Sequence, residues 1–402
     1  MKKAYLTLVA AVAMLGAHGF AAAGEKKYGP GASDTMIKLG QTMPYSGPAS
    51  AYGVQGRAEV AYFNMINARG GVNGRKVQLI SLDDAYSPPK TVEQTRKLVE
   101  QEEVLALVNS IGTATQAAVQ KYLNGKKAPQ LLVSSGADRW NDPKNYPWTT
   151  PGFVSYTFEG KVYGRHVSRT APDAKIGILW QNDDAGRDYV RGFRAGLGDS
   201  LKNVVREATY EITDATVDSQ ILQLRNSGAE VLFIMATPKF GAQAIRKIAE
   251  MGWKPTIYLS SVASSRTQTL EPAGLQNAVG VITATSLKDP DDPAWASDEG
   301  VKAYKAFMAE WYPEGDPRNS GNVFGYVVAQ TVEHILRQAG DNLTRENILR
   351  QATNIRDLKL DLYLPGITMN VSPDNYTTVN ALNLQRFNGD RWVVFGEPIP
   401  AD

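Results

Sequence analysis

Val104-Leu-Ala-Leu-Val-Asn-Ser-Ile-Gly-Thr-Ala-Thr-Gln-Ala-Ala-Val-Gln120 changes its period halfway along. Val104 to Asn109 is a short apolar run suited to a buried strand. From Thr115 onward, Ala118, Tyr122 and Leu123 recur at helical spacing. Between the two lies Ser110-Ile111-Gly112-Thr113, a strand end that turns on a glycine and feeds a helix. The first amides of such a helix have no intrahelical partner and point outward with the positive end of the macrodipole. A glycine lets a ligand approach the backbone closely. The turn therefore suits an anion or a carbonyl oxygen. An ordinary βα turn is the simpler account of one such stretch taken alone.

The flanking sequence repeats the pattern. Ile37 to Met43 reads as a strand, Ala51 to Ala68 as a helix, Lys76 to Leu82 as a strand and Pro88 to Glu102 as a helix. Gln130 to Val133 closes the series. Alternating strands and helices specify a doubly wound parallel sheet. A second series follows: strands Ile176–Trp180, Val204–Tyr210, Val231–Met235 and Thr256–Leu259, with helices Gly186–Leu197, Thr216–Asn226 and Phe240–Met251 between them. The two series align from Thr91-Val92 to Ser134-Ser135 and from Thr216-Val217 to Ser260-Ser261, with nearly equal spacing. We read this as a duplication, although βα units share a length and resemble one another by chance. Ligands in open α/β sheets bind beyond the carboxyl ends of the strands. Two facing lobes thus make a cleft with a strand-to-helix turn on each wall. Beyond Ala278 the pattern gives helices Trp295–Trp311, Val323–Ala339 and Thr344–Thr353. Strands are expected at Gly366–Met369, Val379–Phe387 and Arg391–Phe395, the last two joined by an Asn388-Gly389 hairpin turn. Asp289 to Pro293 suits a lobe crossing or lid.

The N-terminus has the form of a secretory leader. Lys2 and Lys3 precede the apolar run Ala4–Ala17, and Ala21-Ala22-Ala23 offers a cleavage site. Residues 1–23 are expected to be removed and the remainder exported to a periplasm. The chain has no cysteine, so disulfides, thiolate metal sites and a lipid-modified N-terminal cysteine are excluded. The 43 basic and 41 acidic residues balance once Lys2 and Lys3 leave, which argues against nucleic-acid or membrane-surface partners. His166 and His334 lie far apart and support no metal site. No cofactor or metal is expected. Gly24 to Ser33 is expected to be a mobile tail.

No enzyme signature is present: neither G-x-S-x-G nor a Walker A sequence occurs. Asn182-Asp183-Asp184-Ala185-Gly186 lacks the spacing of a calcium loop and reads as an acidic helix start. Aromatic residues gather in loops on the cleft side. Tyr45 and Tyr52 flank Ser46-Gly47-Pro48, Trp140 and Trp148 follow Ser135-Gly136-Ala137-Asp138, and Phe153 and Tyr156 follow the first lobe crossing. Such a cluster suits a small molecule with an apolar body.

Ile37-Lys-Leu-Gly-Gln41, Ser46-Gly47-Pro48, Tyr52-Gly53, Ile66-Asn-Ala-Arg-Gly-Gly-Val-Asn-Gly74, Asp83-Asp84, Thr115-Gln116, Gln181–Gly186 and Thr237-Pro238 together resemble the branched-chain amino-acid-binding type of periplasmic solute-binding protein. The resemblance spans nearly the whole mature chain. It implies an α/β, type I periplasmic binding protein fold: two Rossmann-like doubly wound lobes joined by three crossovers. The N-terminal lobe would hold residues 34–150 and 286–375, and the C-terminal lobe 151–285 and 376–402. It also implies no catalysis, a small-molecule ligand, ABC permease subunits in the inner membrane as partners and a monomer. The ligand carboxylate would be held by the turns at Gly112-Thr113 and Ser135-Gly136-Ala137-Asp138. Tyr45, Tyr52, Phe153 and Tyr156 would cover the apolar body, and Thr237 and Ser261 would complete the second wall.

Four departures bear on the ligand. Gly112 replaces a serine side chain, Thr237 replaces an aromatic hydroxyl, and Ser260-Ser261-Val262 lacks the family's acid. Asp138 stands where a small hydroxyl residue is usual, so it must turn away, cap the turn, or accept from a ligand hydroxyl or amine. A buried ammonium without a partner is very costly. The expected ligand is therefore an aromatic or other non-α-amino carboxylate. A branched-chain amino-acid receptor, a secreted α/β hydrolase and a ligand-presenting sensor partner remain open.

Overall fold

A computed structural model describes residues 26–401, so the leader expected over residues 1–23 lies outside the described residues. Two sheets organise the chain. In the first, five parallel strands lie in the order Lys76–Asp83, Met36–Met43, Ala106–Val108, Gln130–Val133, Thr149–Pro151. In the second, Val204–Tyr210, Ile176–Gln181, Val231–Met235, Thr256–Leu259 and Ile282–Thr285 repeat that parallel order. The antiparallel strands Ala381–Phe387 and Trp392–Pro400 then extend it. Their turn is the expected Asn388-Gly389, with Gly389 at φ +104°. The central strands are apolar throughout because helices cover both faces: Val231-Leu-Phe-Ile-Met235 is buried at every residue. The chain passes from the first sheet to the second after Pro151, returns after Thr285 and crosses again after Val371.

In each sheet the order reverses at the first strand, so a crevice opens at the carboxyl ends of the first and third strands. On the first sheet that is the opening Val104–Gln120 segment. Its helix starts at Thr113, two residues before the expected Thr115, and runs to Gly125. Its counterpart on the second sheet, Pro238–Glu250, has the same 13-residue length.

Helix packing fixes what faces the crevice. Gly325, on helix Ser320–Ala339, lies against helix Val54–Ala68 so closely that a Cβ there would stand 2.7 Å from the Gln55 carbonyl oxygen. Gln55 and Phe324, one from each of these helices, both line the cleft. Helices Tyr156–Thr170 and Asp184–Leu197 meet through Gly160, Gly164, Gly192 and Gly196. A Cβ at any of these would come within 2.3 Å of an opposing backbone oxygen. The close approach stacks Tyr156 on Tyr189, ring centroids 4.4 Å apart.

Several expectations need correction. The described part of the tail, Lys26–Ser33, is docked rather than mobile. Lys27–Tyr28 pairs with Asn342–Leu343, and Arg75 binds both Tyr28 Oη, at 2.9 Å, and Asp341, at 2.6 Å. The strands Thr149–Pro151, Ile282–Thr285 and Ile355–Leu358 are only three or four residues long and escaped the sequence reading. The strand expected at Gly366–Met369 is instead Met369–Val371. Among the described residues no helix is long and apolar enough to cross a membrane.

Candidate functional site

A cavity of about 180 Å³ lies between the sheets and extends toward the crossovers. It is of the same order as the roughly 150 Å³ that accommodates benzene in an engineered core. Its first wall is the Gly112–Thr113 turn. Gly112 has φ +106°, a conformation open to glycine, and helix Thr113–Gly125 has no side-chain cap. The turn is held from behind. Thr115 Oγ1 donates to the Ile111 carbonyl at 2.6 Å, and Thr113 Oγ1 lies 2.7 Å from Ser135 Oγ. Ser135 Oγ also accepts from Trp140 Nε1 at 2.9 Å. Thr113, the first residue of this helix, lines the cavity, and the leading amides of a helix start have no intrahelical partner, so an anionic or carbonyl oxygen placed there would satisfy them.

The second wall starts at Thr237, which precedes helix Pro238–Glu250 without capping it. The Thr237 amide donates to Tyr210 Oη, which donates on to Gln181 Oε1, both at 3.0 Å. Thr237 Oγ1 is buried and has no hydrogen-bond partner. A buried hydroxyl left unpaired costs about 1–3 kcal/mol, so one that lines a cavity points to a ligand or water partner there. Next to it, Ser261 lies over Glu159. The Ser261 amide donates to Glu159 Oε1 at 2.8 Å, and Ser261 Oγ donates to Oε2 at 2.7 Å.

The remaining lining is aromatic. Phe153 on the first crossover lies between Tyr156 and Phe324, with centroid separations of 6.1 and 4.9 Å. Tyr86 lies against Gly112, where a Cβ would meet its ring at 2.6 Å. Burial raises the Tyr52 and Tyr86 phenols well above the ordinary tyrosine range, so both stay protonated donors. The acids on the lining, Asp289 and Asp291, lie beyond Lys288 on the return crossover. Asp291 faces Arg266 at 3.4 Å.

Of the expected site residues, Tyr52, Gly112, Thr113, Phe153, Tyr156, Thr237 and Ser261 line this one cavity. Tyr45, Ser135, Gly136, Ala137 and Asp138 do not. Tyr45 Oη bonds Ser81 Oγ at 2.6 Å, on the flank of the first sheet. Ser135 braces Thr113 from behind. Gly136 supports Tyr156: its carbonyl accepts the Tyr156 amide at 2.8 Å, and a Cβ on it would meet the Val154 carbonyl. Ala137 is buried. Asp138 turns away from the cavity. Its carboxylate accepts from Ser155 Oγ at 2.6 Å and from Arg191 at 2.7 Å.

The sequence reading missed Gln55, Tyr86, Val262 and Phe324 on the lining, and Glu159 beneath it. Tyr86 had a detectable signal. It follows Asp83-Asp84 at the carboxyl end of a strand, where loop residues face the crevice.

A family model described as periplasmic binding protein matches residues 36–391. Over 319 residues the chain is 24% identical to Leu/Ile/Val-binding protein homolog 7 of Brucella abortus, covering 75% of this chain and 77% of that one. The fold is similar to that of a branched-chain amino acid ABC transporter protein from Thermus thermophilus with bound valine. That pair has TM-score 0.82 and 18% identity, and covers 90% of this chain and 96% of the other. It is also similar to a fatty acid ABC transporter substrate-binding protein from Thermomonospora curvata, with TM-score 0.76 and 22% identity, covering 93% and 95%. Two sheets of matching strand order, a cleft at both switch points and a family match across nearly all the described residues lead to one conclusion: the chain belongs to the periplasmic binding protein family.

Proposed function

We propose that this protein is the extracytoplasmic receptor of an ABC importer. It captures a small organic carboxylate without an α-ammonium group and delivers it to an inner-membrane permease. The observation that carries the reading is the polarity of the cleft between the two switch points. The first wall offers helix-start amides from Thr113 onward, which suit a carboxylate. The second offers the hydroxyls of Thr237 and Ser261, and neither turn places an acid in the cavity. Tyr52, Phe153 and Tyr156 would cover the apolar body of the ligand. Closure would follow from contacts made to both walls at once, since a ligand shifts a conformational equilibrium only by its differential affinity for the two states. Both neighbouring folds belong to transport proteins, one crystallised with valine and the other named for fatty acids, and each of these ligands is a carboxylate with an apolar body.

A thermal-shift screen over amino acids, aromatic acids, dicarboxylates and amides tests the reading. Ligand at about 100 times its dissociation constant adds about 2.7 kcal/mol to apparent stability. A clear shift with benzoate-like acids and none with leucine supports it. A large shift with leucine and none with the acids reverses it in favour of a branched-chain amino-acid receptor.

A further inference from the structure

The second wall contains an acid after all, one layer down. Glu159, on helix Tyr156–Thr170, is fully buried, and four donors reach its two carboxylate oxygens. Tyr163 Oη donates at 2.6 Å and the Ser261 amide at 2.8 Å to Oε1. Ser261 Oγ at 2.7 Å and Tyr189 Oη at 2.9 Å donate to Oε2. Two donors on each oxygen fill the lone-pair sites of a carboxylate. Burial pushes this carboxyl above its ordinary value, and the four donors offset that only in part. Of the three residues that supply these donors, Ser261 lines the cavity, and Tyr163 and Tyr189 do not.

We propose that Ser261 is the gate of a hydroxyl subsite. It covers Glu159, spends its own hydrogen on that carboxylate and presents its oxygen lone pairs to the cavity, so the ligand is a carboxylate that also bears a hydroxyl. This rests on the carboxylate reading above and narrows it. Thr237 Oγ1, buried on the same lining with the Tyr210 phenol beside it and no well-formed hydrogen bond, supplies the second contact, because a hydroxyl can donate to Ser261 while accepting from Thr237. The two turns of this wall offer an ammonium no direct acid, since Ser261 stands between the cavity and Glu159, and the lining acids Asp289 and Asp291 lie on the return crossover, Asp291 against Arg266. The same geometry makes the selectivity reversible. Removing the Ser261 side chain uncovers Glu159, and the wall becomes an ammonium site.

The test is calorimetry of the parent, Ser261→Ala and Ser261→Gly with benzoate, 4-hydroxybenzoate and 4-(aminomethyl)benzoate. The parent is expected to bind 4-hydroxybenzoate about tenfold more tightly than benzoate, the worth of one well-made buried hydrogen bond. Ser261→Ala should erase that preference while still melting cooperatively, at a lower temperature than the parent because Glu159 loses one donor. Ser261→Gly should shift the ranking toward 4-(aminomethyl)benzoate. Equal parent affinities for benzoate and 4-hydroxybenzoate would overturn the subsite and leave the carboxylate reading standing. An alanine variant that keeps the hydroxyl preference would do the same. Leucine binding with no binding of any of the three acids would overturn both.

Discussion

Tyr52 Oη, from the first lobe, donates to the Val262 carbonyl oxygen of the second at 3.1 Å. The contact bridges the two cavity walls directly above the Ser261 turn, and both residues line the cavity. It exists only when the walls are this close, so it is a contact across the cleft and not a feature of either wall alone. Tyr52→Phe keeps the ring and removes the bond. One such hydrogen bond is worth about 1 kcal/mol, or about fivefold in affinity. Stopped-flow measurement should find the loss in the dissociation rate, with melting of the unliganded protein unchanged. A variant that releases ligand at the parental rate would show that the bond does not hold the cleft shut.

Gly112→Ala is expected to damage the turn itself as well as the ligand's access. At φ +106° an L-residue is strained, and its Cβ would stand 2.4 Å from Thr115 Oγ1 and 2.6 Å from the Tyr86 ring. Strain of this kind costs roughly 1–3 kcal/mol. The variant should melt lower than the parent and show no ligand-induced shift. Parental melting with parental affinity would remove Gly112 from the site.

Asp138→Asn separates a site role from a closure role. Asp138 pairs with Arg191, which also bonds Asp188, and the Asp138 amide donates to Asp188 at 2.8 Å. Arg191 and Asp138 are both well exposed, and such pairs contribute at most about 1 kcal/mol. The substitution should weaken all ligands by a similar factor, at most about fivefold, and leave their ranking unchanged. Calorimetry over an acid series reads this. A changed ranking would bring the Asp138 carboxylate to the ligand.

Asp138 was expected on the cleft, yet its side chain bonds Ser155 and Arg191 and does not line the cavity. Periodicity reads the strands and helices because each buries a face. It therefore located both switch-point turns, and with them Gly112, Thr113, Thr237 and Ser261. Within a turn, side-chain direction depends on partners distant in sequence, here Ser155 and Arg191 for Asp138. The same holds for residues brought in by packing. Phe324 reaches the cleft because Gly325 lets its helix approach Gln55, and Glu159 reaches Ser261 across 102 residues. No local pattern carries either fact. The docked tail was missed for the same reason, since its pairing partner Asn342–Leu343 lies far along the chain.

Glu59 lies on the same helix as Gln55, four residues on, and does not line the cavity. It is fully buried, accepts from Gln41 Nε2 at 2.7 Å and from Asn109 Nδ2, and forms no ion pair. Burial pushes it up from 4.5 to about 8 despite those two amides. In the unfolded chain the same group loses its proton near the ordinary value. Between pH 4.5 and 8 the folded protein therefore binds more protons than the unfolded one. Stability consequently falls as pH rises through that window, and it levels off above 8. The full swing is at most roughly 4–5 kcal/mol. Glu59→Gln replaces the neutral acid with a neutral amide of the same shape, so it removes the pH dependence without emptying the site. Melting temperatures of the two proteins, compared from pH 5 to 8.5, should converge or cross toward the alkaline end as the parent loses stability and the variant does not. Titrations common to both cancel in the difference. A difference that stays flat across the range would mean that Glu59 is ionised in the folded protein throughout, with Gln41 and Asn109 outweighing its burial.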